Sequence, residues 1–136
     1  HVLEHVDDPV ALLTRMRDWV RPGGRVVIIV PNSESIHRRL AVLMGLQPRL
    51  DTLSARDVLV GHQRVYSIAN LRRDVEAGGF DVCATRGFFF KPLANSMMLT
   101  FDQALIDAMN AIAITMPPEW MSNLGLVVTP RADADP

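Results

Sequence analysis

The sequence is poor in cysteine, in lysine and in long apolar runs. Cys83 stands alone, so the 136-residue chain can form neither an intramolecular disulfide nor a cysteine cluster for zinc. No apolar run reaches the length that a membrane-spanning helix needs, and no signal peptide is visible, which predicts a cytoplasmic protein. The formal net charge is −1, so the chain lacks the excess of basic residues that nucleic-acid and membrane-surface binders carry. Lys91 is the single lysine among 14 basic residues.

The apolar residues are numerous enough for a core, and their spacing alternates along the chain between that of helices and that of strands. They make up 49% of the chain against 21% charged residues, which is typical of a folded single domain. Asp8-Pro9 predicts the start of a helix, and Arg21-Pro22-Gly23-Gly24 predicts its end. Residues 25–30, R-V-V-I-I-V, are apolar on both faces, which predicts a central strand of a parallel sheet.

The rest of the chain continues the alternation of helix and strand. Residues 46–65 are punctuated by proline, aspartate and arginine and are predicted to be irregular. The predicted elements are a helix from Ser33 to about Met44, a helix capped by Ser67 and closed by Gly78-Gly79, a strand over 80–90, a helix over 100–116 and a strand over 124–129. Arg38-Arg39 is predicted to lie on a solvated helix face, and residues 130–136 are predicted to be a disordered tail.

This order predicts an α/β domain over residues 1–129 with helices on both faces of a sheet. Three strands are few for a doubly wound domain, and the first helix has no strand before it. The chain also opens with His1 rather than Met, inside a motif. We therefore expect the C-terminal part of a Rossmann-like doubly wound sheet whose other strands precede His1. The unpaired edge of strand 25–30 would then favour self-association.

Four motifs, in this order, resemble the class I S-adenosylmethionine-dependent methyltransferases. H-V-L-E-H-V-D-D-P at the start of the chain is similar to the turn after that family's fourth strand, and V-R-P-G-G to the turn before its fifth. G-H-Q-R-V-Y-S-I-A-N-L resembles the segment that enters the helix before strand six, and E-A-G-G-F the turn into that strand. The resemblance covers residues 1 to about 129. It is greatest to the ubiquinone-biosynthesis-like O-methyltransferases, whose K/N-P-L-x-N stretch matches residues 91–95.

The resemblance implies an enzyme that passes the methyl group of S-adenosylmethionine to an oxygen, nitrogen or carbon atom of a small molecule. It also implies that His1 and Leu3 contact this cofactor. The family's glycine-rich loop and ribose-binding acid have no counterpart here, because the double glycines at 23–24 and 78–79 lead into strands. We expect the chain alone not to bind the cofactor. The alternative is a non-catalytic fragment or degenerate domain that acts only through partner contacts.

Histidine supplies the candidate bases. His5 and His62 are predicted to be general bases, because imidazole titrates near neutrality and can accept a proton from the nucleophile as the methyl group arrives. Hydrogen-bonded structural histidines are the alternative. Asn32, at the carboxyl end of the first strand, is predicted to bind substrate, as are Lys91 and Asn95 after the second strand.

The opening H-x-x-E-H pattern also raises the question of a metal. A zinc peptidase needs both histidines on a stable helix, and Asp8-Pro9 leaves room only for a turn. In one helical turn His1, Glu4 and His5 would face the same way. Some relatives that the motif resembles hold a divalent ion with E-x-x-E-H and a later histidine, near which His62 stands. Such ligands would favour a zinc- or iron-like ion over magnesium. We favour the alternative that these side chains line a pocket without a metal.

Overall fold

The computed structural model describes residues 1–132, which form five α-helices and one three-stranded sheet. The helices are α1 (Pro9–Trp19), α2 (Ile36–Leu43), α3 (Ala55–Leu59), α4 (Ile68–Ala77) and α5 (Gln103–Ala113), and the strands are β1 (Val26–Pro31), β2 (Phe80–Phe88) and β3 (Asn123–Pro130). Short 3-10 turns lie at Asn95–Met97 and Pro118–Trp120. Within residues 1–132, no helix is both long enough and apolar enough to cross a bilayer.

The sheet has the order β1-β3-β2, and β3 runs antiparallel to both neighbours. The α/β class is therefore confirmed, but the prediction that strand 25–30 is central and parallel is wrong for the described sheet. β1 lies at its edge and pairs only with β3, since the last strand inserts between the first two. β1 and β2 point the same way without pairing, as expected for strands joined by a helical crossover.

The core lies between the sheet and the helices α1 and α4. Leu13, Phe80 and Leu126 are completely buried there. Gly78, at the end of α4, lets that helix approach α1, because a Cβ atom on it would lie 2.4 Å from the Cβ of Leu13. The predicted closure by Gly78-Gly79 is confirmed, with the positive φ of 84° at Gly79.

Several element ends differ from the prediction, through a long-range contact before α2 and through side-chain caps at α3 and α5. α2 begins after Ser35 rather than Ser33, whose backbone N–H instead donates to the Tyr66 carbonyl. α3 lies inside the stretch predicted to be irregular, where Ser54 and Asp57 form a reciprocal capping box. α5 begins after Asp102, which caps the Leu105 amide.

The C-terminal tail is only partly covered by the described residues. Pro130 is the last residue of β3, and the Arg131 side chain pairs with Asp81 at 3.0 Å. The remainder of the predicted tail, residues 133–136, lies outside the described residues.

Candidate functional site

Two segments distant in sequence meet at the carboxyl end of β1. The chain makes a turn before α1, closed by the His5 N–H donating to the Val2 carbonyl. Gln63 binds this turn through its backbone N–H, which donates to the Glu4 carbonyl at 2.7 Å. Arg64 donates to the Leu3 carbonyl at 2.9 Å. These contacts bring His62 against His5, as the sequence predicted only through resemblance.

The two imidazole rings contact each other edge to face. Their centroids lie 4.7 Å apart with an interplanar angle of 71°. Nδ1 of His5 faces the Gly61 carbonyl oxygen at 3.2 Å, and Nδ1 of His62 faces Oδ1 of Asp57 at 3.0 Å. Because a carbonyl oxygen and a carboxylate only accept, Nδ1 is the donor in each ring. Nε2 of each neutral ring therefore keeps a free lone pair, as a general base requires.

Glu4 lies beneath the histidines and is fully buried. Its Oε1 lies 2.9 Å from Nδ1 of His1 and 4.0 Å from Nε2 of His5. Its Oε2 has no hydrogen-bond partner among the described residues. A buried carboxylate oxygen without a partner is costly, so this atom favours a cation or a hydrogen-bond donor nearby.

We call Glu4, His5 and His62 the histidine cluster. One potential ligand atom from each lies within 4.8 Å of the others. Two imidazoles and a carboxylate whose second oxygen has no partner fit a zinc- or iron-like divalent ion. His1, which the sequence pattern grouped with these residues, binds Glu4 through its ring instead. The fit keeps the metal alternative open beside the interpretation as pocket lining.

A network of polar contacts holds Asp57, the hydrogen-bond partner of His62. The second carboxylate oxygen of Asp57 accepts from Nη2 of Arg38 at 2.7 Å and from the backbone and hydroxyl of Ser54 at 2.8 Å each. Arg38 also donates to the carbonyl oxygens of Leu50 and Thr52. The Arg38 side chain is only 8% exposed, so the prediction of a solvated helix face is wrong for this residue. The reason is the loop after α2, which folds back over the guanidinium.

Two clefts open beside this polar network and share the residues His37, Arg38, Asp57 and Lys91. The smaller cleft has a volume of about 340 Å³, and its walls include four predicted site residues: His1, Asn32, His62 and Lys91. The larger cleft has a volume of about 670 Å³ and is lined by Lys91, Asn95 and the outer face of α2. The structure thus brings most of the predicted site residues to one place.

Two of the predicted site residues, Asn32 and Leu3, are held by contacts within the fold. Asn32 is 1% exposed and donates through Nδ2 to the carbonyls of Glu119 and Met121, while its Oδ1 accepts from the Glu34 N–H. Its substrate role stays a prediction, with both amide hydrogens already bonded. Leu3 packs in the core, and with His1 it borders an apolar groove of about 370 Å³ between α1 and β1.

The clefts change the protonation of three side chains. Burial lowers the pKa of His37 to about 3, assisted by the charges of Lys91 and Arg38. Burial also lowers the pKa of Lys91, and Arg38 adds to that effect. Burial alone would raise the pKa of Asp57, but hydrogen bonds from Ser54 and the charge of Arg38 outweigh it and bring the pKa below its usual value. The walls thus hold a neutral imidazole, a destabilised ammonium and a firmly ionised carboxylate.

Arg38, Asp57 and His37 belong to this site but were not predicted from the sequence. The capping-box spacing Ser54-x-x-Asp57 was readable and would have placed Asp57 at a helix start. Nothing local indicates that Asp57 pairs with Arg38, 19 residues earlier in the chain.

Comparisons with known proteins identify the family of the chain. A family model described as a methyltransferase domain matches residues 1–85. The chain belongs to the class I S-adenosylmethionine-dependent methyltransferases. This methyltransferase domain is 32% identical over 100 residues to a ubiquinone biosynthesis O-methyltransferase of Aeromonas salmonicida (strain A449), a match over 72% of the chain and 40% of that protein.

A solved structure shows the same fold. The crystal structure of a SAM dependent methyltransferase from Archaeoglobus fulgidus matches with a TM-score of 0.50 and 16% identity, over 94% of the chain and 55% of that structure. The described sheet is therefore part of a Rossmann-like methyltransferase fold. This methyltransferase domain spans 40% of the length of the curated relative that it matches.

Proposed function

We propose that the full-length protein transfers the methyl group of S-adenosylmethionine to an oxygen, nitrogen or carbon nucleophile of a small molecule. One observation carries the proposal. His62 lines the smaller cleft, and its bond to Asp57 leaves Nε2 as the basic atom. A nucleophile held in this cleft would lose its proton to Nε2 as the new bond forms. The carboxylate of Asp57 stabilises the imidazolium that results.

His5 is the second general base that we propose. Its ring contacts His62 edge-on, and its Nδ1 is anchored by the Gly61 carbonyl. Its own Nε2 is therefore also available for a proton. Lys91, Asn95 and Asn32 are the proposed substrate-binding residues, of which Lys91 and Asn95 line the larger cleft.

The cofactor, when bound, supplies an electrophilic methyl group on a sulfonium. His1 and Leu3 are its proposed contacts, and the groove that they border is largely apolar. Among the described residues no carboxylate lines this groove, so it fits an apolar part of the cofactor but not the ribose hydroxyls. The described residues thus offer one wall of a cofactor site, and we assign no step of the reaction to it.

The alternative is that the chain is a non-catalytic or degenerate domain acting through partner contacts. Among the described residues the apolar groove offers only one wall of a cofactor site, which supports this alternative. The cytoplasmic location stays a prediction from the sequence.

The test uses the full-length protein with labelled S-adenosylmethionine and a panel of phenols, amines and carbon acids. His5→Gln and His62→Gln should each lower turnover by about 10²–10⁴-fold. Both should leave cofactor affinity within a factor of a few, because neither ring lines the apolar groove. Wild-type turnover of both variants across neutral pH would refute the base assignment. Absence of both cofactor binding and methyl transfer in the full-length protein would favour the non-catalytic alternative.

A further inference from the structure

We propose that the two clefts bind an acceptor that carries a carboxylate, with the carboxylate paired to Lys91 and an apolar body lying in the larger cleft. The designation of this ligand as the methyl acceptor rests on the proposed function. The binding itself rests on the residues that line the clefts.

The first observation is an ammonium group without a counter-ion. Within residues 1–132, Lys91 forms neither a hydrogen bond nor an ion pair, although it is half-buried in the wall that the two clefts share. Arg38 beside it is fully engaged by Asp57 and two backbone carbonyls. A partly desolvated cation without a partner is unfavourable, and an anion placed in the cleft would relieve that cost.

The second observation is the balance of charge around the larger cleft. Its walls carry the three cations Arg38, Arg56 and Lys91 against the single carboxylate of Asp57. His37 adds no positive charge at neutral pH, because its pKa is lowered to about 3. The chain as a whole has a net charge of −1, so this positive cleft is a local feature. A cleft of one sign concentrates ligands of the opposite sign.

The third observation is the apolar surface that continues from Lys91. Side chains of α2, of the turn that follows it and of the segment after β2 form it: Leu40, Met44, Leu46, Leu93 and Met97. The volume of about 670 Å³ lies within the range of small-molecule sites. The flexible thioethers of Met44 and Met97 can adapt to an apolar chain or ring. An apolar body with one carboxylate matches these walls in shape, polarity and charge.

His62 connects this ligand to the proposed methyl transfer. It lines the smaller cleft together with Lys91, so a molecule anchored by its carboxylate at Lys91 lies within the cleft that holds the proposed base. The anchor would orient the nucleophile, which is the role that bound positioning groups have in lowering a bimolecular barrier.

The probes are octanoate and 1-octanol, which share an apolar chain and differ in charge. Calorimetry on the full-length protein should show octanoate binding more tightly than octanol. Lys91→Gln should weaken octanoate binding by about tenfold and leave octanol binding unchanged, whereas Lys91→Arg should retain most of the affinity. Arg15→Gln is the matched control, because it removes one positive charge from the exposed face of α1, outside both clefts.

Three outcomes would overturn the proposal. They are octanoate binding no tighter than octanol, equal octanoate affinity in wild type and Lys91→Gln, and an equal loss in Arg15→Gln. The third outcome would assign the effect to overall charge rather than to the cleft. The failure of this proposal is distinguishable from that of the proposed function, because octanoate binding requires neither cofactor nor methyl transfer.

Discussion

Replacing Asp57 by Asn should destabilise the protein far more than an ordinary surface substitution. The carboxylate is held by Arg38 at 2.7 Å and by His62 at 3.0 Å, with side-chain exposures of 8%, 13% and 14% for Arg38, Asp57 and His62. Breaking a buried ion pair on one side typically costs about 3–5 kcal/mol, because the remaining charge is left uncompensated. Arg38 keeps its bonds to the carbonyls of Leu50 and Thr52, so we expect the lower end, about 3 kcal/mol.

The assay is urea unfolding at pH 7 with a matched control from the loop before α3. At a slope of about 2 kcal/mol per molar urea, the Asp57→Asn midpoint should fall by about 1.5 M. Asp51→Asn is the control, because its pair with Arg49 at 2.9 Å is largely solvent-exposed and should shift the midpoint little. A double-mutant cycle with Arg38→Met would measure the pairwise coupling directly.

The pH dependence of the free energy of unfolding provides a second test of the buried ion pair. The pKa of Asp57 is lowered in the folded protein, so its contribution to the free energy of unfolding is present above its ordinary value of 3.8. That contribution is lost as the pH falls through the lowered pKa. The difference between wild type and Asp57→Asn should therefore shrink below pH 4. An Asp57→Asn midpoint equal to that of Asp51→Asn, or a difference independent of pH, would refute the buried ion pair.

Three further predictions concern neighbouring groups. The pKa of His37 is lowered from 6.5 to about 3, so wild type should lose stability as the pH falls below 6.5 towards 3, and His37→Gln should lose less over that window by pH-dependent melting. Gly78→Ala should cost about 1–3 kcal/mol by urea unfolding, since its Cβ would meet Leu13, whereas the exposed Glu76→Ala on the same helix should change little. Methyl transfer by the full-length protein should survive a chelator; loss of activity that added divalent ion restores would instead make Glu4 and its two histidines metal ligands.

Features set by local interactions were predictable from the sequence. Asp8 and Ser67 were identified as helix caps, and both accept the expected backbone N–H donors. The side-chain oxygen of a cap needs only a partner three residues ahead, so short windows of sequence contain the whole interaction. The same holds for the glycine closure at the end of α4, where the positive φ of Gly79 depends on the adjacent turn.

Long-range pairing was not predictable. Leu126 of β3 pairs with Ile28 on one side and with Thr85 on the other, and no local pattern indicates which strand inserts between which. The apolar run of β1 was interpreted as central because both faces lack polar residues. The described residues bury Ile28 and Val30 on one face and leave Val27 61% exposed beside the apolar groove. Periodicity reports which residues avoid water, not which strand covers them.

The candidate site depends on residues that the sequence identified and on long-range contacts that it did not. Resemblance identified His62, but the groups that orient it come from the stretch predicted to be irregular and from a helix face predicted to be solvated. Because Arg38 balances Asp57, the carboxylate can hold the Nδ1 proton of His62 without leaving a net charge in the wall. That neutralisation leaves Lys91 as the uncompensated charge at the junction of the two clefts among the described residues. The ion pair that positions the proposed base thus also determines which cation is free to bind an acceptor.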